Sequence, residues 1–195
     1  MKILYITKNE KKVKEFKEII KKHVDAIVTI DSLFDLEYDV ILSILTRDME
    51  ANVKKLVSTI WKKEKDNYDY VIADGYGLFS DYAPNILGVD SDIWWPGTQR
   101  DRNEALVNLF IGSKNREIYY KSVFVACDKQ GKVIVSTGYL YGYLGRKVKE
   151  KNGEGYDSVF ITKDGKYLSS YTQDEITEMS ARHAAIEQLV TKMVI

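Results

Sequence analysis

Apolar positions along this chain follow two rhythms. Short, mainly apolar runs at residues 3–6, 26–30, 70–73 and 159–162 predict buried strands. Elsewhere apolar residues return every three or four positions and predict helices. These are Val13, Phe16, Ile19 and Ile20 after the first run, and Val53, Leu56, Val57 and Ile60 within residues 48–63. Leu106, Leu109 and Phe110 do the same within residues 103–111, as do Ala185, Ile186, Leu189 and Met193 within residues 179–194. Two longer β-segments, residues 118–128 and 133–144, flank Asp128-Lys129-Gln130-Gly131, which reads as a hairpin turn. Short strands alternating with helices around a long central hairpin predict an α/β fold with a mixed sheet. No repeat, linker or shift in composition breaks the 195 residues, so residues 1–195 are expected to form one domain.

Charge narrows the partners. Lys plus Arg and Asp plus Glu both number 29, so no global field favours nucleic acid or an anionic membrane, and any anion recognition must be local. One cysteine, Cys127, excludes an internal disulfide, and its apolar setting reads as a small core residue. No signal peptide and no apolar run of membrane-spanning length is visible, and a cytoplasmic protein is expected.

Four places combine the residue types that chemistry needs. The first strand passes into its helix through Thr7-Lys8-Asn9, with Asn9 as N-cap. A hydroxyl, first-turn amides and the ammonium groups of Lys8 and Lys12 suit a phosphate there, although the same lysines also read as a solvated helix face. Asp74 ends the apolar run 70–73 and is followed by Gly75 and Gly77, which marks either a ligand-facing strand end or an Asp-Gly turn. Glu37 lies in an acidic cluster, residues 35–39, that reads as a surface loop. If it converged on Asp74, the pair would suit Mg²⁺ with substrate phosphates. In the loop 152–157, Tyr156 could stack on a base, and Asp157 could accept from a base edge or anchor the loop. Ser180 is a candidate N-cap for the last helix, and Arg182 in its first turn opposes the helix dipole, which suits an anionic or polar ligand but is also tolerated at a solvated position.

Taken in order, these places resemble the inosine triphosphate pyrophosphatase family. Thr7, Asn9, Lys12 and Glu15 fall in register with its T/S-G-N-x-x-K-x-x-E/D opening, and residues 73–81 with its (A/V)-(D/E)-D-S-G-L-x-V-D motif. Pro96-Gly97 and the helix from Asn103, Arg116 before a strand, Gly138 with Gly142, residues 153–160 and Ser180-Ala181-Arg182 continue the likeness. The resemblance implies an elongated two-lobed α/β fold with a central cleft, usually as a homodimer. It implies Mg²⁺-dependent hydrolysis of a nucleoside triphosphate to the monophosphate and pyrophosphate. Lys12 and Lys55 would hold phosphates beside Thr7, Lys8 and Asn9. Glu37 and Asp74 would hold the metal, and Lys12, Glu37 and Asp74 would carry catalysis. Tyr156, Asp157, Ser180 and Arg182 would meet the base.

The departures matter as much. Gly75 stands where the family has a second Asp, Glu154 where a Phe stacks on the base, and Ala181 where S-H-R has its His. Ile176 replaces a Lys, and residues 82–95, with Trp94-Trp95, form a longer connection than usual. These changes predict an altered base preference. The alternative is a degenerate relative that binds a nucleotide or another phosphorylated ligand without efficient turnover.

Overall fold

The computed structural model describes residues 1–24, 27–32 and 46–193. Among them, six strands form one open sheet in the order β2-β1-β3-β4-β5-β6. The strands are β1 (Lys2–Tyr5), β2 (Thr29–Ser32), β3 (Tyr70–Phe79), β4 (Glu117–Asp128), β5 (Val133–Leu144) and β6 (Phe160–Thr162). The sheet is mixed, as expected: β1 pairs parallel with both β2 and β3, whereas β5 and β6 are antiparallel. Parallel neighbours on both sides bury β1 from Ile3 to Tyr5, which is why that run has no polar alternation. The helices are α1 (Glu10–His23), α2 (Met49–Glu64), α3 (Gln99–Leu109), α4 (Gln173–Met179) and α5 (Ala181–Met193). None is long and apolar enough to cross a membrane among the described residues.

The chain divides into two compact units. The first comprises Met1–Gly75, Ser122–Gly138 and His183–Ile195, and the second comprises Tyr76–Lys121 and Tyr139–Arg182. Each has its own core. In the first unit Tyr5, Phe16, Ile20, Ile72, Phe124, Ile186 and Leu189 are fully enclosed. In the second, Leu78, Leu106, Phe110, Tyr120, Val159 and Phe160 are. Cys127 is buried, as its apolar setting implied, and desolvation raises its thiol pKa.

Several boundaries differ from the sequence expectation for physical reasons. The strand expected to stop at Asp74-Gly75 runs on to Phe79. Its glycines permit close approach rather than a turn: a Cβ at Gly77 would collide with the carbonyl oxygen of Gly88. Helix α3 begins four residues earlier than Asn103, because Thr98 and Asp101 form a capping box. Leu109, expected inward, is 38% exposed, while Leu106 and Phe110 fill the core. The last helix starts at Ala181, directly after Ser180, whose ψ of 147° is extended, and a separate helix, α4, which the spacing did not predict, precedes it. The second strand lies at Thr29–Ser32 rather than 26–30, and Ala26 and Val194 fall outside the described residues.

Candidate active site

The first unit builds its polar centre from a strand end and a helix start. After β1, Asn9 caps α1 and its Oδ1 accepts from the amides of Lys11 (3.0 Å) and Lys12 (3.4 Å). The amide of Asn9 in turn donates to Thr7 Oγ1 at 3.2 Å. Two first-turn amides expected to face a ligand are therefore satisfied by the cap itself, a correction to the anion cradle inferred from sequence. The cap fixes the rotation of α1, and Lys12, near the end of its first turn, reaches across to β3. Its Nζ donates to Asp74 Oδ2 at 2.8 Å. The Tyr5 hydroxyl donates to Asp74 Oδ1 at 2.7 Å.

The two halves of the ion pair differ in exposure. The Asp74 side chain is 2% exposed and that of Lys12 is 29% exposed. A carboxylate withdrawn from water this far needs a cation or strong donors, and it has both a cation and a phenol. Of the two side chains, that of Lys12 is the one that reaches solvent.

Gly75 faces the other way. Neighbouring residues on a strand project to opposite faces. A Cβ on Gly75 would sit 2.7 Å from Met49 Cγ and 3.0 Å from Val53 Cγ2. The position that holds an acid in the resembled family is closed here by α2. Of the other expected phosphate contacts, Lys8 is exposed just before α1. Lys55 is exposed on α2, about 200° around the helix axis from Val53. Glu37 lies outside the described residues.

The second unit uses its candidate residues mainly to hold a loop. Asp157 is buried, its Oδ1 accepts from the Tyr120 hydroxyl at 2.9 Å, and its Oδ2 accepts from the Glu154 amide at 2.8 Å. Of the two roles open in the sequence, the structure uses Asp157 as the loop anchor. Burial pushes the Asp157 carboxyl pKa up, and the raised pKa of the Tyr120 phenol has the same first cause. Asn103 Nδ2 adds bonds to the Gly155 carbonyl (3.1 Å) and Ser158 Oγ (2.8 Å).

Tyr156 is also a correction. Its ring is enclosed in the core, its hydroxyl accepts from Trp94 Nε1 at 2.8 Å and donates to the Ser91 carbonyl. Desolvation pushes its pKa up to about 12. It presents no free face for stacking. The exposed ring is Tyr76, 37% accessible, which stacks on Tyr120 at 5.2 Å, and Tyr120 stacks on Phe160 at 5.1 Å. Ser180 lies at the break before α5, and Arg182 is buried in the first turn of that helix. Arg116 is a backbone clamp that donates to the carbonyls of Phe110, Leu144 and Gly145.

Sequence reading missed the parts played by Tyr5 and Tyr120. The available signal was a tyrosine in an otherwise aliphatic buried run, because a buried phenol needs an acceptor. As for a metal, Asp74 offers a hard oxygen. Among the described residues no group of three or more His, Cys, Asp or Glu could hold one. One shielded carboxylate fits a hard divalent cation that completes its shell with phosphate oxygens and water, and does not fit a closed protein cage.

Comparison with known proteins identifies the family. The Ham1 family model matches residues 3–192. The chain is 31% identical over 194 residues to the dITP/XTP pyrophosphatase of Thermoanaerobacter sp. (strain X514), covering 97% of this chain and 94% of that relative. It is 30% identical to the dITP/XTP pyrophosphatase of Clostridium perfringens (strain 13 / Type A), covering 96% and 95%. The Staphylococcus aureus Ham1 protein has the same fold, with a TM-score of 0.88 at 20% identity over 99% of this chain and 98% of that one. A near full-length family match, two full-length relatives and a shared fold agree with the ordered motifs, and the chain belongs to the Ham1 family of inosine triphosphate pyrophosphatases.

Proposed function

We propose that this protein is a Mg²⁺-dependent nucleoside triphosphate pyrophosphatase acting on non-standard purine nucleotides, with a base preference altered from its relatives. The observation that carries this reading is the Lys12–Asp74 pair at 2.8 Å: a shielded carboxylate joined to a partly exposed ammonium at the start of a helix. The names of the full-length relatives support the substrate class. In the reaction, water adds across the anhydride between the α and β phosphates. That bond breaks, the monophosphate and pyrophosphate leave, and the water proton is lost to solvent.

Lys12 takes a polyphosphate oxygen as a second acceptor when substrate arrives, with Thr7, Lys8, Asn9 and Lys55 as further phosphate contacts. Mg²⁺ held at Asp74 and Glu37 would neutralise polyphosphate charge and polarise the reacting phosphoryl group. Ser180 and Arg182 supply polar contacts to the base, while Tyr156 and Asp157 hold the loop that shapes its pocket. Glu154 and Ala181, in place of Phe and His, are the reason for an altered preference.

The working form is proposed to be a cytoplasmic homodimer. The aromatic face formed by Phe79, Tyr119, Tyr139 and Tyr141, with Tyr139 and Tyr141 exposed, supports self-association. A second reading, a nucleotide binder without efficient turnover, is favoured by one observation: α2 closes the space at Gly75.

Pyrophosphate release from dITP, XTP, ITP, dUTP and the common triphosphates, with Mg²⁺, separates the two. Turnover of at least one non-standard purine above the Asp74→Asn background supports the enzyme. Calorimetric binding with no release supports the binder, and neither binding nor release removes both.

A further inference from the structure

We propose that Tyr5 is a positioning residue for Asp74, fixing the carboxylate so that Oδ2 is the oxygen presented to Lys12 and to a divalent cation. The Tyr5 ring is fully buried and packs at 5.3 Å from the Phe16 ring and 6.0 Å from that of Phe124. A phenylalanine would serve that packing alone. The hydroxyl instead donates to Oδ1 at 2.7 Å, while Lys12 meets Oδ2 at 2.8 Å. Two donors on different elements, β1 and α1, hold one carboxylate by its two oxygens. The carboxylate plane is then set by a buried strand side chain, and the oxygen on the Lys12 side is the one met by a partly exposed donor. Groups that orient a metal-binding carboxylate change affinity and rate without touching substrate. This inference rests on the proposed Mg²⁺-dependent reading of the same site.

The test uses the full chain with Mn²⁺ alone as probe, its binding followed by electron paramagnetic resonance, beside steady-state turnover of dITP with Mg²⁺. Tyr5→Phe keeps the ring and removes the donor, and Tyr5→Leu is a second removal should the first melt early. Both are expected to weaken Mn²⁺ binding about tenfold and lower kcat about tenfold, with KM for dITP within about twofold. Phe16→Leu loosens the same aromatic cluster and is expected to lower the thermal midpoint while leaving Mn²⁺ affinity unchanged. Unaltered Mn²⁺ affinity in both Tyr5 variants overturns the proposal. So does a wild type that binds no Mn²⁺, or a Phe16→Leu variant that loses as much affinity. A wild type whose Mn²⁺ binding depends on Tyr5 but which releases no pyrophosphate overturns the enzymatic reading and leaves this one standing.

Discussion

Asp74 in the first unit and Asp157 in the second are both carboxylates shut away from water, and each accepts a tyrosine hydroxyl. They differ in a further partner. Asp74 meets the ammonium of Lys12, a charge that is itself partly in solvent. Asp157 meets the backbone amide of Glu154, a neutral donor inside its own loop. A partly exposed cation on a buried anion is one that an incoming ligand can compete for. Two fixed neutral donors leave nothing to exchange, so that anion holds structure. Under the proposed function, the same side chain serves chemistry in one unit and architecture in the other, and the partner's charge and exposure decide which.

Removing the cation should separate the two sites most sharply. Lys12→Met is expected to lower kcat/KM for dITP by about 10² or more, as loss of a phosphate-facing donor does in other transfer reactions. It should also cost about 1–3 kcal/mol of stability in urea melts, because the buried Asp74 carboxyl loses the donor on its Oδ2. Restoring the family acid is the next largest effect. Gly75→Asp should destabilise the chain by about 1–3 kcal/mol through overpacking against Met49 and Val53, with no gain in turnover. A Met49→Ala partner should recover part of the stability, which a thermal melt of the double variant checks.

In the second unit, Tyr120→Phe removes one of the two donors on Asp157 and should cost about 1–2 kcal/mol by chemical denaturation. The smallest effect is a slope. Burial raises the Asp157 pKa in the fold above its ordinary 3.8, so the folded state binds the proton more tightly than the unfolded one. Its contribution to stability therefore falls as pH rises from about 3.8 through the raised folded value, and is constant above that window. Asp157→Asn should flatten this part of the pH–stability curve.

Much of this comparison was legible beforehand, and the illegible part has a common cause. The strand-to-helix step with Asn9 and Lys12 follows from local rules of periodicity and capping, and the structure keeps it. The α/β class follows from the alternation of short apolar runs with helical spacing. What misled was glycine. Gly75 and Gly77 look like turn residues to any local rule, yet they serve close approach of α2 and of the Gly88 backbone, which are distant in sequence. Tyr5 and Tyr120 were missed for the same reason: a phenol in a strand looks like packing until its acceptor, far along the chain, is known. Tyr156 erred in the opposite direction, because a tyrosine beside glycines suggests an exposed ring and a core partner such as Trp94 cannot be read from its neighbours. The Thr98 and Thr172 capping boxes were readable and would have placed the starts of α3 and α4.

The most direct measurement is pyrophosphate release from dITP with Mg²⁺ by the wild type, Asp74→Asn and Asp157→Asn, each normalised to the fraction folded at the assay temperature. Asp74→Asn is expected to fold and lose about 10³ in kcat, while Asp157→Asn loses stability and keeps kcat within about tenfold. Equal losses in the two folded variants, or full activity in Asp74→Asn, would contradict the division of labour between the two carboxylates.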